Sequence, residues 1–154
     1  MRRRLARELA VQSLYQMEMN EVPLREAIVH VIEEASNEDE AQLTKEKDQI
    51  APQFVTELVE GTVQNKQQID SLLADYLKGW QMDRLSRVDR EILRLATYEM
   101  VYREDVPPKV VVNEAIEMAK NFGTEESGKF VNGVLGKMIK DLDKLREKPV
   151  TEQP

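Results

Sequence analysis

The chain has no cysteine. That excludes disulfides, thiolate nucleophiles and most structural zinc sites. Histidine occurs once, at His30, between Val29 and Val31, with no second histidine at ligand spacing. It reads as a surface or half-buried residue. Aromatic residues make up only 5% of the chain, and the six glycines form neither GxxxxGK[ST] nor GxGxxG, so those phosphate loops are absent. No apolar run approaches the roughly 20 residues a transmembrane helix needs. Arg2, Arg3 and Arg4 are not followed by the apolar core of a secretory signal. The expectation is a cytoplasmic protein with no catalytic site, metal or cofactor.

What is present is charge, unevenly spread. A third of the 154 residues are charged and the net charge is -7. Residues 1–17 nevertheless carry four arginines against Glu8, a local balance of +3, whereas residues 18–60 stand at -9. A polyanion responds to the field within a Debye length of about 8 Å, so the basic start can attract RNA while the acidic body repels it elsewhere. Arginine suits phosphate because its planar fork donates in pairs and also stacks on bases. From composition alone, a solvated or acid-paired cluster is the favoured reading of Arg2, Arg3, Arg4 and Arg7, with RNA binding as the alternative. Asp39, Glu40, Glu46 and Asp48 lack the spacing of a calcium loop and read as a solvated acidic stretch.

Hydrophobic spacing is helical throughout. Leu5, Leu9, Ala10, Ser13, Leu14 and Met17 share one face. Leu24, Ala27, Ile28, Val31, Ile32 and Ala35 form a second stripe, with Pro23 in the first turn. Residues 36–49 read as a polar loop. Phe54, Val55, Leu58, Val59, Thr62 and Val63 follow Pro52, and Ile69, Leu72, Leu73, Tyr76 and Leu77 mark a fourth helix stopping near Gly79. A tight connection through Trp80 and Met82 leads to Ser86, an N-cap supported by Asp89. Val88, Ile92, Leu95, Ala96, Glu99 and Met100 line a central fifth helix. A sixth runs over 109–122 with Gly123 as C-cap. Thr124 caps the last, which carries Val131, Val134, Leu135, Met138, Leu142 and Leu145. Gly133 and Gly136 inside it read as close-packing positions, and the tail 149–154 reads as frayed.

The expected architecture is all-α, with six or seven helices. A second candidate binding patch is Lys129-Phe130 with Asn132 at the start of the last helix. On spacing, Phe130 beside Val131 is a core residue, with base stacking as the alternative.

Three segments carry a resemblance when taken in order: residues 3–15 (RRLARELAVQSLY), 88–99 (VDREILRLATYE), and 105–135, with DVP, NEAIEMAK, FG and KFVNGVL. Together they resemble the NusB family of bacterial transcription antitermination factors. The resemblance implies two packed helical bundles forming one compact domain, an N-terminal subdomain over about 1–80 and a C-terminal one over about 81–148. It implies partnership with NusE, a small-subunit ribosomal protein, binding of single-stranded boxA-type RNA, and a place in an RNA polymerase complex with other Nus factors. Arg2, Arg3, Arg4 and Arg7 then match the family's RNA-binding start, with Gln12 and Tyr15 further along the same helix. Lys129 and Phe130 match a second RNA-facing patch, which reverses the core reading of Phe130. Glu126 is an acid beside that patch, expected to temper affinity. Asp89, Arg90 and Arg94 fall where the family engages NusE. Leu5, between the arginine triplet and Ala6-Arg7, is a departure that leaves the individual phosphate contacts open. Two other readings stand beside this one: an RNA-binding accessory domain of a ribosomal RNA methyltransferase system, and a helical adaptor that binds protein alone. A homodimer in the free state also stays open.

Overall fold

The computed structural model describes residues 3–42, 52–77 and 85–151. They are helical, with no strand among the described residues, and fall into two compact units, Met1–Gly61 and Thr62–Pro154. No helix among them is long and apolar enough to cross a membrane.

The first unit holds α1 (Arg3–Asn20), α2 (Leu24–Gln42) and most of α3 (Pro52–Gln64). Helix α1 packs on α2. Its buried face is Ala6, Arg7, Leu9, Ala10, Val11, Ser13 and Leu14. Ser13 is tolerated there because its hydroxyl donates to the Leu9 carbonyl at 2.8 Å, within its own helix. The helix ends at Glu21, whose φ of 54° turns the chain through the left-handed region. Ala27 N–H then donates to the Pro23 carbonyl, opening α2. Helix α2 continues to Gln42, through the start of the stretch expected to be a loop. The physical reason is that acidic residues and alanine are compatible with helix, and no glycine or proline interrupts 36–42. The rest of that stretch, from 43 to 49, lies outside the described residues, as do Gly79, Trp80 and Met82.

The second unit holds α4 (Lys66–Ala74), α5 (Arg87–Tyr102), α6 (Pro108–Phe122), α7 (Glu125–Lys140) and α8 (Leu142–Thr151). Helix α5 is its centre, packing against α4, α6, α7 and α8. Ile92, Leu93, Leu95, Ala96, Met100 and Val101 are all buried, so the helix is apolar over most of its circumference. Helix α4 falls within this unit. The link is Arg94 of α5, whose guanidinium donates to both carboxylate oxygens of Asp70 in α4 at 2.8 and 2.9 Å.

The described residues form eight helices, not six or seven. The expected last helix breaks at Asp141, whose backbone has φ -103° and ψ 13°. Its carboxylate accepts the Tyr76 hydroxyl at 2.7 Å, and beyond it Leu142 and Leu145 are buried. Arg146 Nε donates to the Met100 carbonyl at 3.0 Å, satisfying a group near the C-terminal end of α5. Helix α8 carries past Pro149 to Thr151.

Candidate nucleic-acid interface

Two surfaces, one in each unit, contain the residues singled out above. The first is on α1. Arg3 and Arg4 are exposed at its start, while Arg2 lies outside the described residues. The Arg3 guanidinium stands 4.9 Å from the centroid of the Phe54 ring, a cation–π contact to α3. Arg4, Gln12 and Tyr15 lie on one helical face, with Gln12 exposed and Tyr15 half-buried. Arg7 differs: it is only 2% exposed and belongs to the inward face. The four arginines are therefore not equivalent. Helix α1 also has no acidic residue in its first turn, so positive charge gathers at the positive end of the helix dipole. An anion there relieves that repulsion.

The second surface is built on the N-terminus of α7. Gly123 closes α6, and Thr124 then caps α7 by accepting the Ser127 N–H at 3.2 Å. Gly123 caps without a left-handed turn, since its φ is -122°. Glycine serves there because a Cβ would fall 2.6 Å from Ser127 Oγ. Nearby, Ser86 caps α5 by accepting the Asp89 N–H at 3.1 Å. An open groove of about 510 Å³ lies beside the two helix starts, with Asp89, Glu126, Lys129 and Phe130 in its wall. A smaller cleft of about 220 Å³ lies along α7 and shares Lys129 and Phe130 with it. Phe130 is half-buried, so the ring belongs to a surface wall and not to the closed core that its spacing suggests. Lys129 and Glu126 are exposed and 3.7 Å apart.

Asp89 is buried, and its Oδ1 has no hydrogen-bond partner among the described residues. Burial pushes its carboxyl above the usual range, against hydrogen bonds from Ser127 and Ser86 that pull it down. Arg90 is half-buried. Arg94 is 6% exposed and committed inside the unit, to Asp70 and, at 3.1 Å, to Glu91. No group of three or more histidine, aspartate or glutamate side chains among the described residues is arranged to hold a metal.

The geometry offers cations, an aromatic wall and two capped helix starts. The NusB family model matches residues 4–140. The chain belongs to the NusB family. It is 45% identical to the transcription antitermination protein NusB of Halalkalibacterium halodurans, over 90% of this chain and 94% of that protein. It is 41% identical to the protein of the same name from Bacillus subtilis, over 93% and 98%. Among solved structures, T. maritima NusB matches with a TM-score of 0.77 at 35% identity, covering 96% of this chain and 98% of that one. A crystal structure of antitermination factors NusB and NusE in complex with dsRNA matches with a TM-score of 0.73 at 28% identity, covering 91% and 98%.

Sequence reasoning missed two residues of the second surface. Tyr76 was assigned to a helix face and Lys137 was not singled out, yet both line the smaller cleft. The available signal was the spacing Lys129, Gly133, Lys137, which puts three positions on one face of α7. Gly133 and Gly136 do not serve close packing as expected. A Cβ at Gly133 would meet nothing within 4 Å, and at Gly136 only Asn132 Oδ1 at 3.8 Å.

Proposed function

We propose that this protein is a transcription antitermination factor that binds boxA-type single-stranded RNA together with a NusE-type partner. It acts by binding, as one component of an RNA polymerase complex. The observation that carries the reading is the Phe130 ring, half-buried as the shared wall of two surface depressions, with Lys129 beside it. An aromatic face with adjacent cations suits single-stranded RNA, because stacking holds the base while the cations hold the phosphates.

The exposed residues divide the work. Arg3 and Arg4, with Arg2 before them, attract the backbone, and Gln12 and Tyr15 continue that surface along α1. Arg7, being buried, fixes α1 in place. On α7, Lys129 and Phe130 take phosphate and base. The partner protein engages the start of α5, at Asp89 and Arg90. Arg94 is not part of that contact; it holds α5 to α4 through Asp70 and is paired with Glu91. The curated relatives are matched over 94% and 98% of their own length, which supports reading this chain as their functional equivalent.

The test is RNA binding by gel shift, on a boxA-type oligonucleotide and a scrambled one, with and without NusE. Preference for the first, sharpened by NusE, is expected. Equal binding to both RNAs in the presence of NusE overturns the reading. Protein-only binding, with no RNA shifted, would instead identify a helical adaptor.

A further inference from the structure

The smaller cleft has features the larger groove lacks. Its wall holds two aromatic residues, Tyr76 and Phe130, and two lysines, Lys129 and Lys137. No carboxylate is among its lining residues that the structure describes, whereas Asp89 and Glu126 line the larger groove. Tyr76 is held at its edge: the hydroxyl donates to Asp141 Oδ2 at 2.7 Å, and its backbone N–H donates to the Leu73 carbonyl at 2.9 Å. A ring so anchored loses little entropy when something stacks against it. Gly133 lies between the two lysines in sequence and also lines the cleft, with open space where a side chain would stand. The lysines are eight residues apart, so their backbones are separated by about 12 Å along the helix. A ribose–phosphate strand can approach α7 closely at Gly133 with a cation ahead of it and another behind.

We propose that this cleft is a second nucleotide subsite, in which Tyr76 and Phe130 receive one base of a single-stranded RNA and Lys137 receives the phosphate beyond it. The proposal rests on the reading that the Phe130 end of α7 binds RNA, and it extends the RNA path along α7 past Gly133. The chemistry selects RNA over a peptide for two reasons. The described lining residues put cations and aromatic faces side by side, and stacking accepts any base without a fixed donor pattern.

The test is fluorescence anisotropy of the full chain with a boxA-type RNA carrying one abasic nucleotide at a time. Wild type is compared with Tyr76→Leu, Tyr76→Phe, Lys137→Gln and Phe130→Ala. Tyr76→Leu should weaken binding about five- to a hundredfold, the range for losing one base–aromatic stack. It should also make one abasic position costless, and Phe130→Ala should silence that same position. Tyr76→Phe keeps the ring and should bind within about twofold of wild type. Lys137→Gln should reduce the slope of log affinity against log salt by about 0.7. The proposal is overturned if Tyr76→Leu is folded by circular dichroism and keeps every abasic penalty, or if Tyr76→Phe is as weak as Tyr76→Leu. Should Tyr76→Leu not fold, an unchanged salt slope in Lys137→Gln overturns it. The underlying reading fails separately, by Phe130→Ala binding RNA as tightly as wild type.

Discussion

Replacing Arg94 by methionine separates a structural role from a partner contact. The guanidinium makes a bidentate bond to Asp70 at 2.8 and 2.9 Å and a third bond to Glu91 at 3.1 Å. The Arg94 and Glu91 side chains are only 8% and 3% exposed, whereas Asp70 is 28% exposed. Methionine fills much of the volume of the aliphatic stem but leaves Glu91 buried with its charge uncompensated by that partner. Breaking a buried pair from one side costs about 3–5 kcal/mol. At about 2–4 °C per kcal/mol for a chain of this size, the melting temperature should fall by roughly 6–20 °C. Asp70→Asn should cost less, about 1–2 kcal/mol, because its carboxylate is partly in water and the amide still accepts one bond. Thermal melts followed by circular dichroism measure both. NusE affinity is then measured well below the lowered melting temperature. The account predicts a large loss of stability and near-normal NusE binding by the protein that remains folded. A melting temperature within 2 °C of wild type, with NusE binding abolished, refutes it and makes Arg94 a direct contact.

Glu126→Gln removes a negative charge 3.7 Å from Lys129 on an exposed surface. RNA binding should tighten by up to about fivefold at low salt, with the gain fading as salt rises, measured by titration at several ionic strengths. Tyr76 has its hydroxyl pushed up to about 12, by burial first and then by its bond to Asp141. A folded-state value above the unfolded one means the stabilisation is complete below about pH 10 and is lost as pH rises towards 12. Tyr76→Phe should therefore be less stable than wild type at pH 8, by about 1 kcal/mol, and the gap should close across that alkaline window in denaturant titrations. Glu21→Gly should raise stability by about 0.5–1 kcal/mol, because φ of 54° burdens a residue with a Cβ, and a melt resolves the shift.

Local rules made much of the fold legible. Ser86 with Asp89 and Thr124 with Ser127 are caps whose chemistry is written in adjacent residues. The apolar stripes of α1 to α7 need only helical spacing. What stayed hidden depends on contacts distant in sequence. Arg4 and Arg7 are the same residue three positions apart, yet one is exposed and the other buried, because only the fold decides which face turns inward. The break at Asp141 coincides with a bond to Tyr76, sixty-five residues away. The polarity of residues 36–42 suggests a loop, yet polar residues without glycine or proline continue α2 to Gln42. Of the candidate site, Lys129 and Phe130 could be named from the motif alone. Tyr76 could not, because only the fold brings it to the cleft along α7, more than fifty residues on in sequence.

The central claim is that the exposed arginines on α1 and the Phe130 end of α7 each contribute to binding boxA-type RNA. It is tested most directly by a double-mutant cycle on boxA-type RNA with Arg4→Ala, Phe130→Ala and the pair, each titrated over a range of salt. The account predicts that both single variants weaken binding, that Arg4→Ala flattens the salt slope by about 0.7, and that Phe130→Ala leaves the slope unchanged. Phe130→Ala binding with wild-type affinity, or an affinity in wild type that does not change with salt, contradicts it.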